Sequence, residues 1–291
     1  DLTVMRARLI KNVLITRCTI VSTWLITFGF VTLKPTLRFA NYYTDTFLSL
    51  RVTIVQPLTG KTNSQIAFNI YLNNSAGNTP KELCFYDSQN KGRQSIEGYI
   101  TRQFQLTHGA TINHFMPLLL ALNEQGKTSA ALGLQTAVGR SLFLQQYLPC
   151  AIDESIALHA KVPVALNRII EIGNLVATRP GASQLLFMLL TKILYLAQYE
   201  WVVFTATPMV QKSLERLGFN LTVLADANAE HLIPAEKLNW GSYYEQQPRV
   251  LAGNINQGIQ ALNKGIWPAQ LTSYTTTVAR LAAAIGHVPS A

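Results

Sequence analysis

RIIEIGNLVATRPGASQLLF, residues 168–187, joins two kinds of chain with almost no linker. An apolar, β-branched run carries a carboxylate, Glu171, at its centre. It breaks at Arg179-Pro180-Gly181 and at once starts an apolar helix, so the stretch predicts a buried strand, a tight turn and a core helix. A charge inside a buried strand is costly unless it is paired or functional. Glu171 is therefore read two ways: as a structural group satisfied by Arg168 or by backbone donors, or as a group that accepts a proton from, or orients, an amine nucleophile. Strict alternation puts Glu171 and Gly173 on one face and Asn174 on the other. A β-bulge at Gly173 inserts a residue and turns Glu171 and Asn174 toward the same cleft.

The turn has a chemistry of its own. The first amides of a helix lack intrahelical partners, and with the helix dipole they favour an anion. In TRPGAS, Pro180 fixes one φ and Gly181 lets a ligand approach the backbone, while Arg179 and Ser183 add donors. A pyrophosphate suits such a turn. Neither a P-loop lysine nor GxGxxG is present, and most strand-glycine-helix turns bind nothing.

Outward from this centre, SIEGYITRQFQLTHGA (95–110) predicts a helix with Ser95 as N-cap and Ile96, Tyr99, Ile100 and Phe104 on one stripe. FMPLLLALN, SAALGLQTA and SLFLQQYL read as three short antiparallel strands. DESIALHA is a short helix capped by Asp153 or Ser155. EWVVFTAT is a second buried strand, PMVQKSLERLGF a helix opened by Pro208 and closed by Gly218, and NLTVLAD a strand. WGSYYEQQPRVLAGNI is a last extended segment before polar, Ala-rich tail helices. Residues 34–90 read as irregular, apart from a first strand at LRVTIVQP (50–57). The order implies an α+β (α/β) fold, a mixed sheet covered by helices with a parallel pair at its middle.

The net charge of +9 is unevenly spread. Residues 1–81 hold nine Lys/Arg against two acids, and residues 82–291 hold fifteen against thirteen, so the globular part is nearly neutral. No basic run with interleaved aromatics appears, and a nucleic-acid partner is not expected. The three cysteines are widely spaced and the histidines lack metal-ligand spacing, so no metal site is expected. RARLIKNVLITR followed by the sixteen uncharged residues Cys18–Leu33 resembles a signal or anchor. Sixteen is short for a span, and eight of them are β-branched. An extension ahead of a natural start ranks first here and a membrane anchor second.

Candidate side chains outside the centre are few. Thr205 and Thr207 of FTAT end the strand beside the central one, where they line a cleft or simply reflect β-propensity. Tyr243 or Tyr244 of WGSYY offers a phenolic acid, with packing as the alternative. His108, His114 and His159 read as surface or helix-end residues before they read as bases.

THGATINHFMPLLLAL, AALGLQTA, LFLQQYL, RIIEIGNLVATRPGASQLLF, WVVFTATPMVQKSLERLGF and WGSYYEQQPRVLAGNI, in this order, resemble the thermostable haemolysin family of bacterial proteins over about residues 95–262. The resemblance implies erythrocyte lysis by name and, by fold, a GNAT-like acyl-CoA N-acyltransferase sheet akin to the autoinducer synthases. EIGN is similar to their Glu-x-Ser-Arg, with Asn174 where the arginine would stand, so their substrate does not carry across. The resemblance implies Glu171 as the matching glutamate, a phosphate loop over Arg179–Ser183 and a bulge near Gly173. Taken with the candidates read from the residues themselves, the expected site is catalytic Glu171, Asn174 and Tyr244, with a donor site at Thr178, Arg179, Gly181, Ala182, Ser183, Thr205 and Thr207. The implied co-substrate is an acyl-CoA or acyl-carrier-protein thioester, with an amine acceptor and no covalently bound cofactor. The expected organisation is an extension over 1–48, a GNAT-like domain over 49–262 and a helical tail over 263–291. The expected location is cytoplasmic. The alternative is a membrane-perturbing haemolysin, secreted or held at lipid through residues 6–33.

Overall fold

The computed structural model describes residues 81–179, 181–264 and 285. The expected strand at 50–57, the cationic apolar segment and the proposed extension over 1–48 lie outside the described residues, as does most of the tail.

Seven strands form one mixed sheet in the order β1-β2-β3-β4-β5-β7-β6. They are β1 (Lys81–Tyr86), β2 (Leu118–Glu124), β3 (Lys127–Thr136), β4 (Ile169–Ala177), β5 (Trp201–Ala206), β6 (Leu221–Asp226) and β7 (Arg249–Asn254). The helices are α1 (Arg93–His108), α2 (Ile152–Ala160), α3 (Ala182–Leu196), α4 (Pro208–Glu215), α5 (Pro234–Asn239) and α6 (Ile255–Lys264). β4 and β5 pair in parallel, and the other neighbours pair antiparallel. This is the α+β mixed sheet flanked by helices, with a parallel pair at its middle, that the element order implied.

Side-chain alternation gives the sheet two covered faces. Leu120, Leu132, Ile170, Ile172 and Phe204 pack with Leu186, Leu190 and Ile193 of α3 and with Ile255 of α6. On the opposite face Ile169, Val203 and Val250 pack with Leu144 and with Ile152 and Ile156 of α2. Further along that face Leu119, Ala121 and Val176 meet Ile96, Ile100 and Phe104 of α1. α3 buries eight of its fifteen residues, which explains why its sequence is apolar nearly all round.

Several expectations need correction. SLFLQQYL is no strand: Phe143–Tyr147 is a 3-10 helix. Its polar pair, Gln145 and Gln146, faces local carbonyls of Cys150 and Phe143 instead of a ladder partner. Residues 34–90 are not irregular throughout, because Lys81–Tyr86 pairs with β2 along its whole length. Ser95 lies inside α1, which starts after Gly92, and α2 starts after Ala151, ahead of both expected caps. WGSYYEQQ is a turn followed by the 3-10 helix Tyr244–Gln246, and only Arg249–Asn254 is extended.

Candidate functional site: the parting of the two parallel strands

β4 and β5 are in register from Ile169↔Trp201 to Ile172↔Phe204, and no further pairing joins them. β4 continues to Ala177 on its β3 side alone. The strands part because β4 bulges. Ala131 lies opposite Val176 and Gly133 opposite Gly173, so two steps along β3 face three along β4. The extra residue sits next to Asn174, whose φ of 52° is left-handed. Asparagine tolerates that conformation better than most residues. After the bulge Val176 points to the α1 face, and Asn174 Oδ1 reaches the same side over Gly133. Glu171 and Asn174 therefore share a face.

Glu171 is 2% exposed. Its two oxygens accept from the amides of Phe143 (2.9 Å) and Leu144 (3.0 Å). Those amides are the first two of the 3-10 helix, whose own N-cap residue, Leu142, supplies no side-chain bond. The buried charge in the central strand thus caps a neighbouring helix from across the sheet. Arg168 plays no part in this, being engaged with the Gln198 carbonyl and with Glu200. Burial outweighs the two amide bonds and pushes the carboxyl up to about 7.

Asn174 uses both ends of its amide. Oδ1 accepts from Met116 N at 2.9 Å, and Nδ2 donates to His114 O at 3.1 Å. Tyr244 Oη is hydrogen-bonded to Tyr147 Oη, a partner the sequence did not reveal. Burial pushes the Tyr244 phenol up to about 12, so it stays protonated at neutral pH. Tyr243 stands beside it in an aromatic group with Trp240, Phe104 and His108, and its hydroxyl donates to Thr205 O at 3.4 Å.

At the turn, Gly181 has φ 80° and α3 starts with no side-chain cap. Ala182 N donates to Arg179 O at 3.2 Å, and Ser183 Oγ points at Gln184 Oε1. Thr178 is tied to Ser129 O and to Tyr99 Oη. Arg179 Nη1 is bonded to Glu124 Oε2 at 3.0 Å, and Glu124 also binds Lys81 at 3.0 Å. Burial of Glu124 opposes ionisation, but the two cations outweigh it and hold its carboxyl below the usual range. On β5, Thr205 Oγ1 is buried without a hydrogen-bond partner, and Thr207 is buried at the entrance to α4.

Below the parting, on the α3 face, lies an apolar recess of about 40 Å3. Its lining includes Ile172 and Phe204, the last paired residues of the two strands, with Leu190, Leu194, Phe219 and Gly258 around them. It was not legible in the sequence, because its walls come from seven separate elements and a loop.

The site is thus a sheet whose one parallel pair is parted by a bulge and followed by a helix that starts without a side-chain cap. The chain belongs to the thermostable hemolysin family, whose model matches residues 86–259. No curated protein matches the sequence. Among solved structures it is similar to the AHL synthase LasI, at 11% identity and TM-score 0.45, over 65% of this chain and 97% of that one. It is likewise similar to FeeM, an N-acyl amino acid synthase from uncultured soil microbes, at 9% identity and TM-score 0.46, over 62% and 94%. A third is the CoA-dependent acyl-homoserine lactone synthase MesI, at 13% and 0.36, over 66% and 94%.

Proposed function

We propose that the protein is an N-acyltransferase that takes an acyl-CoA or acyl-carrier-protein thioester and an amine acceptor. The observation that carries this reading is the coincidence of the strand parting with the apolar recess, since Ile172 and Phe204 belong to both. A thioester lying between β4 and β5 would meet main chain that has no β5 partner, and its acyl tail would find an apolar lining below. A recess of this size has room for roughly three water-sized groups, enough for a run of methylenes beyond an acetyl. The diphosphate of a CoA donor would lie at the amides opening α3, with Thr178, Arg179, Gly181, Ala182 and Ser183 around it and with Thr205 and Thr207 along the β5 side.

The reaction is balanced simply. The amine nitrogen bonds to the carbonyl carbon, the carbon–sulfur bond breaks, and the amine proton ends on the released thiol. Glu171, with its carboxyl near 7, receives the amine proton. Tyr244, held protonated, supplies one to the leaving sulfur and is reprotonated by the proton that Glu171 took up, so both side chains return to their starting state. Asn174 positions the chain over the bulge. Acyl transfer should be measured by thiol release and amide formation with a panel of CoA and carrier-protein thioesters. Failure of every thioester to bind, together with unchanged behaviour of Gly181→Trp, removes the reading.

The membrane-perturbing alternative rests on residues 6–33, outside the described residues. Among those described, no helix is long and apolar enough to cross a membrane.

A further inference from the structure

Gly133 and Gly173 lie directly opposite each other on β3 and β4. Glycine inside a strand weakens it and marks a place where something approaches closely. Here that something is one side chain. A β-carbon at Gly133 would stand 2.5 Å from Met116 Cβ, and one at Gly173 would strike Met116 Cε. The two glycines form a bare strip on the sheet, and the Met116 side chain lies along it.

The main chain of Met116 is fixed from both sides. Asn174 Oδ1 accepts from its amide, and Arg93 Nη2 donates to its carbonyl at 2.8 Å. Arg93 also holds the next carbonyl, Pro117 O, at 2.7 Å. The side chain is not fixed in this way. It is half-buried, unbranched, and ends on Gly173 in a methyl group. Methionine has three soft torsions and fills irregular gaps that a changing neighbour can reclaim. An anchored backbone with a free thioether is the arrangement of a replaceable plug.

The place it fills matters. Gly173 is the first residue of β4 beyond the pairing with β5, two residues from Glu171 on the same face and next to the Asn174 bulge. On β5 the first position beyond the pairing with β4 is Thr205, whose hydroxyl is buried and lacks a hydrogen-bond partner. We propose that Met116 is the specificity-determining residue for the acyl acceptor: its thioether swings off the Gly133–Gly173 strip to admit a primary amine, and its bulk sets how large that amine can be. The proposal rests on the acyltransferase reading and assigns the α1 face of the parting to the acceptor. The donor thioester stays between the strands, so Met116 touches the incoming nitrogen's substituent and not the bond that breaks.

The full chain is assayed with one acyl-CoA donor against methylamine, butylamine and benzylamine as probes, for the wild type, Met116→Ala and Met116→Leu. In parallel, methyl-labelled methionine NMR follows the Met116 methyl as each amine is added, with the exposed Met209 as internal control. Met116→Ala is expected to raise kcat/KM for benzylamine relative to methylamine at least ~10-fold, through acceptor KM, with donor KM unchanged. Met116→Leu, which keeps the volume, restores the wild-type ratio. The Met116 methyl shifts with amine while Met209 does not. An unchanged amine ratio in Met116→Ala beside measurable transfer overturns the proposal. If no variant transfers any acyl group, the acyltransferase reading fails, and the resonance decides alone: a Met116 methyl unmoved by amine overturns the plug as well, and a selective shift supports it as an amine site.

Discussion

The Glu171 carboxylate caps the helix that begins at Phe143, accepting the amide of Leu144 at 3.0 Å from a strand 27 residues further along the chain. One buried carboxylate thereby joins the central strand to the segment that covers it, and any proton it carries is felt in both.

That link has a pH signature. The folded carboxyl titrates at about 7 against an ordinary value of 4.5. Below 4.5 the group is protonated in both folded and unfolded chains and contributes nothing. Between 4.5 and 7 ionisation increasingly favours unfolding, and above 7 the penalty is complete at about 3 kcal/mol. Glu171→Gln removes this titration but leaves one of the two helix amides facing a donor, at a cost of roughly 1–3 kcal/mol. Urea unfolding of both proteins at pH 5 and pH 8 should show the wild type losing its advantage as pH rises. Parallel pH dependence of the two proteins contradicts the assignment. Acyl transfer by Glu171→Gln should fall at least ~100-fold.

Much of the fold was legible in the sequence, for a physical reason: β4, α3 and β5 form the most buried layer of the sheet, and burial writes itself as long apolar runs. The bulge was legible through Gly173, which only a close approach or a bulge explains. Phe143–Tyr147 was not, because its helix is short and its cap, Glu171, comes from distant sequence. β1 was missed for a similar reason. Only Leu83, Cys84 and Phe85 are buried in it, flanked by half-buried Lys81 and Glu82 that read as loop. The candidate site divides the same way. Gly181 and Arg179 announced a turn, whereas the Glu124 that holds Arg179 lies 55 residues earlier.

Glu124 competes with any phosphate for Arg179. Replacing it with Gln leaves Lys81 and Arg179 without their shared anion beside the open start of α3. CoA affinity should rise ~5-fold, the equivalent of about 1 kcal/mol, with the gain shrinking in high salt. Isothermal titration at two ionic strengths measures it, and weaker CoA binding by Glu124→Gln contradicts the role.

The bulge depends on Asn174 in its left-handed conformation. Asn174→Gly keeps the backbone state and loses the bonds to Met116 and His114, a cost of about 2 kcal/mol. Asn174→Ala loses the same bonds and adds ~1 kcal/mol of backbone strain. Denaturant titration should rank them wild type, glycine, alanine. Alanine more stable than glycine would mean that the bulge relaxes.

The recess should select the donor. Gly258 lines it, and a β-carbon built there already stands 3.2 Å from Thr191 Cγ2, so a larger side chain narrows the recess by pushing against its wall. Gly258→Leu is expected to lower kcat/KM for octanoyl-CoA at least ~10-fold and to spare acetyl-CoA. Equal losses for both donors would place the acyl tail elsewhere.

The central claim is that β4 and β5 part to hold an acyl thioester. The most direct measurement is a crystal soaked with a non-hydrolysable S-alkyl CoA thioether of eight carbons. The expected difference density runs from the amides of Ser183 and Gln184, between Gly173 and Thr205, into the recess under Ile172 and Phe204. Density confined to another surface, or none at saturating ligand with the recess unchanged, contradicts it.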